Sequence, residues 1–270
     1  MEKLNFQALG PWEGSCDSLT MAKMRADSYN RTQGSLTGYN CPKCLNRGGF
    51  LEARQDGSLR FRDCSCMKTR RSLQKLEASG LKTVIREKTF EAFAADQDWQ
   101  KALKAGARDY AEDPRGWFLL CGQSGCGKTH LCTAICRERL LRGDQVRYMP
   151  WRDEIPGLKA AALDPEGRAE KLEELKKAEL LYIDDLFKTG RSGEGSMQPS
   201  AADLNLAFEI LNYRYINRLK TVISSEFSAQ GLVGLDEALG GRILELAGPH
   251  CYTVSPNPRR NYRLRQAASL

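Results

Sequence analysis

WFLLCGQSGCGKTHL, residues 117–131, decides the fold. Its first five residues form a short apolar run, the mark of a strand covered on both faces. Residues 122–129 match G-x-x-x-x-G-K-[ST] without a mismatch. The stretch from Thr129 to Leu141 then reads as a helix that stops at Gly143. Glycine tolerates backbone conformations that other residues resist. The run Gly122, Gln123, Ser124, Gly125, Cys126 and Gly127 can therefore turn its N–H groups inward around phosphate, at a helix N-terminus that already favours anions. Lys128 is expected to reach the β- and γ-phosphates, Thr129 to ligate Mg2+, and His130 to complete the nucleotide-binding run. The ligand so implied is ATP with Mg2+. A chance Gly-rich turn is the plainer alternative, and the flanking strand and helix argue against it.

Outward from this segment, strands and helices alternate. QVRYMPW (145–151) reads as a second strand, residues 166–178 as a helix, and LLYIDD (180–185) as a third strand. A Gly/Ser loop covers 188–199, and Ser200 with Asp203 suits the start of a helix running to about Arg218. TVISSEF (221–227) is a fourth strand, 236–246 a helix, and CYTVS (251–255) a fifth strand. Repeated units of this kind make an α/β fold with a five-stranded parallel sheet. Asp184 and Asp185 end the third strand, at the carboxyl edge where such sheets bind ligands. Asp184 is read as the Mg2+-water contact and Asp185 as the group that orients the attacking water; the alternative is a solvated acidic turn. An Asp in the second position is shorter than the usual Glu, which leaves the hydrolysis rate open but not nucleotide binding. Upstream, 91–113 reads as one helix with Trp99, Leu103 and Ala107 on one side, and 67–90 as a helix broken at Gly80.

Ten cysteines suggest disulfides only in a secreted chain. Cys41-Pro-Lys-Cys44 and Cys64-Ser-Cys66 instead have metal-ligand spacing, two thiolates from each of two tight turns. Between them, FLEAR and SLRFR flank a Gly-containing turn, a hairpin pattern. A module this small has too little core to fold unaided, and Zn2+ would supply the staple. Four free or redox-active cysteines are the alternative. A closed four-thiolate site has no open position, so its role is structural.

The 270 residues are 41% hydrophobic and 28% charged, a globular composition. No apolar run approaches the roughly 20 residues of a membrane span, and the N-terminus does not read as a secretory signal. These features predict a cytoplasmic protein with no membrane partner. The net charge is +7, and after Glu245 there are no acidic residues while Arg259, Arg260, Arg263 and Arg265 cluster. That pattern suits nucleic-acid contact or plain solubility. The chain divides into a flexible or partly helical segment (1–38), a zinc-binding module (39–67), a helical linker (68–113) and an ATPase domain (114–270).

Taken together, GQSGCGKTHL, LLYIDDLFKTG, LNLAFEILNYRYINRLK, TVISSEFS, DEALGGRI and a terminal NYRLR, behind a cysteine module, resemble the AAA+ helicase loaders of the DnaC/DnaI type, especially phage and prophage relatives. The resemblance implies an AAA+ P-loop NTPase with no C-terminal lid domain, preceded by a zinc-ribbon-like module. It implies an ATP-dependent loader that places a replicative hexameric helicase of the DnaB type on single-stranded DNA and assembles into a helical oligomer. Glu226, with Ser225 before it, falls where the family keeps its γ-phosphate sensor; Asn is common there, and a Glu would repel phosphate, so Ser224 or Ser225 can serve instead. Arg242 matches the arginine finger that reaches a neighbouring subunit, and Arg214 is a further candidate contact between subunits. Tyr148, Trp151, Arg152 and Lys159 follow the second strand, where the family places DNA-contacting helices; for Tyr148 and Trp151 a core role is the alternative. The competing functions are a transposition helper ATPase, a small-molecule kinase, and a zinc-bearing adaptor that binds ATP only as a switch.

Overall fold

The computed structural model describes residues 17–78, 82–161, 164–188 and 198–262. The Gly/Ser loop over 189–197 and the arginines at 263 and 265 lie outside the described residues. The chain divides into two compact units, Met1–Arg70 and Arg71–Leu270.

The first unit holds a helix, α1 (Ser18–Arg31), and a hairpin of β1 (Gly49–Ala53) and β2 (Leu59–Asp63). Asp17 caps α1, accepting from the Thr20 amide at 2.6 Å. Ala22 and Ala26 are its buried face. The helix docks on the hairpin through Asn30, whose amide exchanges two 3.0 Å hydrogen bonds with the Leu51 backbone. The hairpin places Cys41 and Cys44 before its first strand and Cys64 and Cys66 after its second. From Cys66 the chain enters α2 (Cys66–Ala78).

The second unit is built on a parallel sheet of β3 (Trp117–Gly122), β4 (Val146–Pro150), β5 (Leu180–Leu186), β6 (Lys220–Ser225) and β7 (Cys251–Val254), in the order β4-β5-β6-β3-β7. The central strands are near-continuous apolar runs because both faces are covered. Alternation divides them between two cores. Phe118, Leu120, Tyr182 and Val222 join Leu103, Leu131 and Ile135 on one side. Trp117, Leu119, Ile183 and Ile223 join Leu206, Ile210 and Ile243 on the other. The helices concerned are α4 (Asp98–Glu112) and α5 (Lys128–Leu141) on the first side, and α8 (Ala201–Ile216) and α10 (Glu237–Ala247) on the second. Further helices are α3 (Lys82–Glu87), α6 (Trp151–Ala160), α7 (Pro165–Lys177) and α9 (Ala229–Leu235). Among the described residues, no helix is long and apolar enough to cross a membrane.

Three sequence expectations change. The helix expected over 91–113 starts only at Asp98, because the Gln100 side chain turns back to accept from the Gln97 amide at 2.8 Å and ends the preceding turn. Trp151 opens α6 rather than closing β4, and at 1% exposure, edge-on to Phe187, it is core and no platform for a base. Arg214, expected as a contact between subunits, is fully buried. Its guanidinium donates to the carbonyls of Leu175, Lys176 and Ala178 at 2.8–3.0 Å, to the Lys220 carbonyl, and to Thr221 Oγ1 at 3.0 Å. Those first three carbonyls are the unpaired end of α7, where the helix dipole also favours a cation. Burial pulls the Arg214 pKa down to about 9.

Arg214→Met should therefore destabilise the second unit by about 3 kcal/mol, since it strands several buried carbonyls. Denaturant unfolding monitored in this unit measures it; an unchanged midpoint would mean that Arg214 does not hold these carbonyls in place.

Candidate nucleotide site and metal centre

The sheet order decides how the site is assembled. β6 lies between β3 and β5, so the phosphate loop and the paired carboxylates stand two strand spacings apart, roughly 10 Å. The gap is wide enough to admit a phosphate chain, and β6 ends in it.

The loop after β3 needs its glycines. Gly125 and Gly127 have φ of +77° and +96°, which L side chains rarely adopt. Gly127 also has no room, since a Cβ there would stand 2.7 Å from the Phe93 ring. Lys128 is buried at 5% exposure, and its ammonium donates to the carbonyls of Gly122 at 2.8 Å and Gln123 at 3.0 Å. The Gln123 side chain is clamped to the Asn257 backbone by two bonds, donating at 2.8 Å and accepting at 2.6 Å. The Tyr262 amide donates to the Gly125 carbonyl at 3.0 Å. Cys126 is buried and packs into the core. His130 holds the segment before α4: its Nε2 lies 2.8 Å from the Thr89 carbonyl, and the ring meets Phe93 edge-on at 5.3 Å. Burial, reinforced by Lys88 and Lys104, lowers the His130 pKa. Ser124 and Thr129 join Gly125, Gly127, Lys128 and His130 in lining a cleft of about 420 Å³ that also reaches Asp185, Lys188 and Glu226.

Asp184 is held by hydroxyls. Oδ1 accepts from Ser224 Oγ at 2.6 Å, Tyr182 OH at 2.6 Å and Thr129 Oγ1 at 3.2 Å, and Oδ2 from Tyr148 OH at 3.0 Å. Burial first, and the Asp184 charge second, push both phenols above their ordinary range, so they remain donors. Tyr148 is thus buried and committed to Asp184, not free to stack on a base. Lys159 is committed too, to Asp203 at 2.6 Å, while Arg152 stays exposed.

Of the residues expected around the γ-phosphate, the structure brings Asp185 and Glu226 to the cleft. It does not bring Ser225, whose hydroxyl donates to the Leu186 carbonyl at 3.0 Å and accepts from the Phe227 amide. Ser224 is the one turned inward, toward Asp184 and the Asp185 amide. Sequence reasoning missed Lys188, which bonds both Asp185 and Glu226 at 2.9 Å. Arg242 stands elsewhere, half-buried on α10, donating to the Ala238 carbonyl at 2.8 Å and lying 5.0 Å from the Phe208 ring centre.

In the first unit, Cys41, Cys44, Cys64 and Cys66 are all buried, with sulfurs within 4.8 Å of one another. Cys41 Sγ lies 3.8 Å from Cys64 Sγ, and Cys44 Sγ 3.6 Å from Cys66 Sγ. Four sulfurs about 2.3 Å from a central zinc stand about 3.8 Å apart, so the donor set fits a tetrahedral ion. The turn after Cys44 has Leu45 and Asn46 at positive φ (48° and 63°). Asn46 Oδ1 steadies it, accepting from the Cys41 amide at 2.8 Å and from Arg70 at 3.0 Å. Burial pushes the Cys66 thiol up to about 12. At Cys44 burial acts the same way, but the Gly48 amide and the neighbouring thiols outweigh it and bring the thiol to about 7.

The fold and the loop define a P-loop ATP-binding protein of the AAA+ architecture. Residues 57–269 match the family model described as IstB-like ATP binding protein, and the chain belongs to that family. It is similar to the phage-like element PBSX protein XkdC of Bacillus subtilis (strain 168), at 35% identity over 80% of this chain and 82% of that protein. It is also similar to the replicative helicase loader DnaC of Escherichia coli (strain K12), at 29% identity over 49% of this chain and 56% of that one. Among solved structures, the crystal structure of the DnaC helicase loader shares the fold: TM-score 0.52, 21% identity, 63% of this chain and 96% of that chain.

Proposed function

We propose that this chain is an ATP-hydrolysing loader that delivers a replicative hexameric helicase to single-stranded DNA in the cytoplasm. The observation that carries the ATPase half is the cleft, lined by Lys128, Thr129 and Asp185, with Asp184 bonded to Thr129 behind it. The loader half rests on the sequence similarity to DnaC. Thr129 and Asp184 would hold Mg2+, which would neutralise charge on the phosphates. Lys128 binds the β/γ end, and Asp185 orients the water whose oxygen attacks phosphorus as the bond to ADP breaks. The cysteine module, with Zn2+ as its staple, is the surface that meets the helicase. Co-purification with a DnaB-type helicase, and turnover stimulated by single-stranded DNA, test the reading. A chain that hydrolyses ATP but retains no helicase would sink the loader half alone. The family match is to ATP-binding proteins and names no helicase, which leaves a transposition helper ATPase as the second reading; it predicts binding to a transposase instead.

Arg242 is the proposed finger, supplied to a neighbour's cleft; among the described residues lining its own cleft it is absent. A finger acting in trans is worth ~10³–10⁵ in rate. Arg242→Ala should keep ATP binding and lose turnover by at least ~100-fold. Mixing it with Lys128→Ala protein should restore part of the activity, because one chain lends the finger and the other the loop. Turnover that is independent of protein concentration and untouched by Arg242→Ala would eliminate the shared site.

A further inference from the structure

Two residues at the γ-phosphate end of the cleft are individually ill-suited to it. Asp185 is a short carboxylate where a longer one is usual, and Glu226 puts a second negative charge beside a phosphate. Both reach the same cation. Lys188 Nζ stands 2.9 Å from Asp185 Oδ2 and 2.9 Å from Glu226 Oε1, and all three line the cleft with Lys128 and Thr129. None of the three is a loose surface group, for their side chains are 29%, 26% and 19% exposed for Lys188, Asp185 and Glu226.

The backbone aims this cation. Asp185 and Phe187 adopt φ of 56° and 66°, a left-handed turn that costs non-glycine residues of order 1 kcal/mol each and persists only when its surroundings enforce it. They do: the Phe187 ring is 1% exposed and packed edge-on between Trp151 and Phe227. The Asp185 amide donates to Ser224 Oγ at 2.9 Å, and the Lys188 amide donates to the Asp185 carbonyl at 2.9 Å. The turn folds Lys188 back over the end of β5 and toward the end of β6. Burial opposes the Lys188 charge, but hydrogen bonds to the two carboxylates outweigh it and hold the ammonium above the ordinary lysine range.

We infer that Lys188 is a positioning residue for the γ-phosphate: it cancels the charge of Glu226, making the pair the equivalent of a neutral polar group, and fixes Asp185 for the attacking water. The charge count carries this. Asp185 alone contributes −1 to this end of the cleft, and Lys188 with Glu226 contributes nothing net, which equals one carboxylate beside an uncharged amide. Without Lys188 two unscreened carboxylates would face the terminal phosphate, and only ATP, not ADP, has a phosphate there. The inference rests on the ATP-site reading above and refines its residue assignments.

The test is equilibrium binding of Mg-ATP and Mg-ADP, which needs no turnover. Lys188→Met keeps the aliphatic stem and should weaken ATP roughly tenfold while leaving ADP within about twofold, as the repulsion acts only on the third phosphate. Adding Glu226→Gln to Lys188→Met should return ATP affinity to within about threefold of native, since the charge count is restored. Lys188→Arg should stay near native in binding. Turnover in the double variant should remain low, because Asp185 has still lost its partner. If Lys188→Met weakens ATP and ADP in step, or if Glu226→Gln gives no rescue, the charge-cancelling role is wrong. A native chain that binds neither nucleotide would overturn the ATP-site reading itself.

Discussion

Replacing Lys128 with alanine is expected to lower ATP affinity by at least ~30-fold and to bring turnover to background with the fold intact. Lys128 is 5% exposed and its ammonium is held by two loop carbonyls, with no carboxylate bonded to it among the described residues. That is a cation kept ready for an anion rather than spent on a salt bridge. Removing one partner of a buried charge pair costs about 2–5 kcal/mol of binding, and 1.4 kcal/mol is a factor of ten. Stability should change little, because an unpaired buried cation contributes little to it. Calorimetric titration with ATP, beside a thermal melt, is the measurement. Affinity within threefold of native, at unchanged melting, would detach Lys128 from phosphate binding.

Metal removal should have the second large effect, confined to one unit. Freshly purified protein is expected to carry about one zinc per chain on Cys41, Cys44, Cys64 and Cys66. Among the described residues, the buried cluster around them adds only Tyr39, Phe50 and Met67, and β2 is exposed along its whole length. So small a core cannot hold the hairpin by itself, whereas a structural zinc supplies ~10–16 kcal/mol in small zinc-finger peptides. Chelation, or Cys44→Ser, should abolish amide protection in residues 49–63. Protection in β3 should persist, as its two cores contain none of these cysteines. Zinc-free fresh protein, or a hairpin equally protected after chelation, would contradict this.

The parts of the site that are contiguous in sequence were readable from it, and the parts assembled across strands were not. GQSGCGKT carries its meaning locally, since loop geometry, lysine and hydroxyl lie within eight residues. The central parallel strands were legible for a related reason: strands buried on both faces are near-continuous apolar runs. Tyr148 gave no such signal. A tyrosine in an apolar strand reads as core, and so it is, but its hydroxyl reaches Asp184, 36 positions away. Lys188 was hidden by its setting at the head of a Gly/Ser loop, where a lysine reads as solvated; only the left-handed turn brings it back. The start of α4 was misplaced because Gln97 and Gln100 do the work usually left to Ser, Thr and Glu. Arg214 was expected between subunits, and its partners are instead backbone carbonyls and one threonine hydroxyl of its own chain, which no sequence pattern marks.

The clamp between Gln123 and the backbone of Asn257 bears on how this protein can be shortened. Two hydrogen bonds join the mouth of the phosphate loop to a stretch that follows the last strand, and Tyr262 adds a third to Gly125. A fragment trimmed at Val254 would retain every strand of the sheet and still lose the brace on its most sensitive loop. Expression boundaries, affinity handles and fluorescent fusions therefore belong beyond Tyr262, because the tail up to that point is working masonry of the nucleotide pocket.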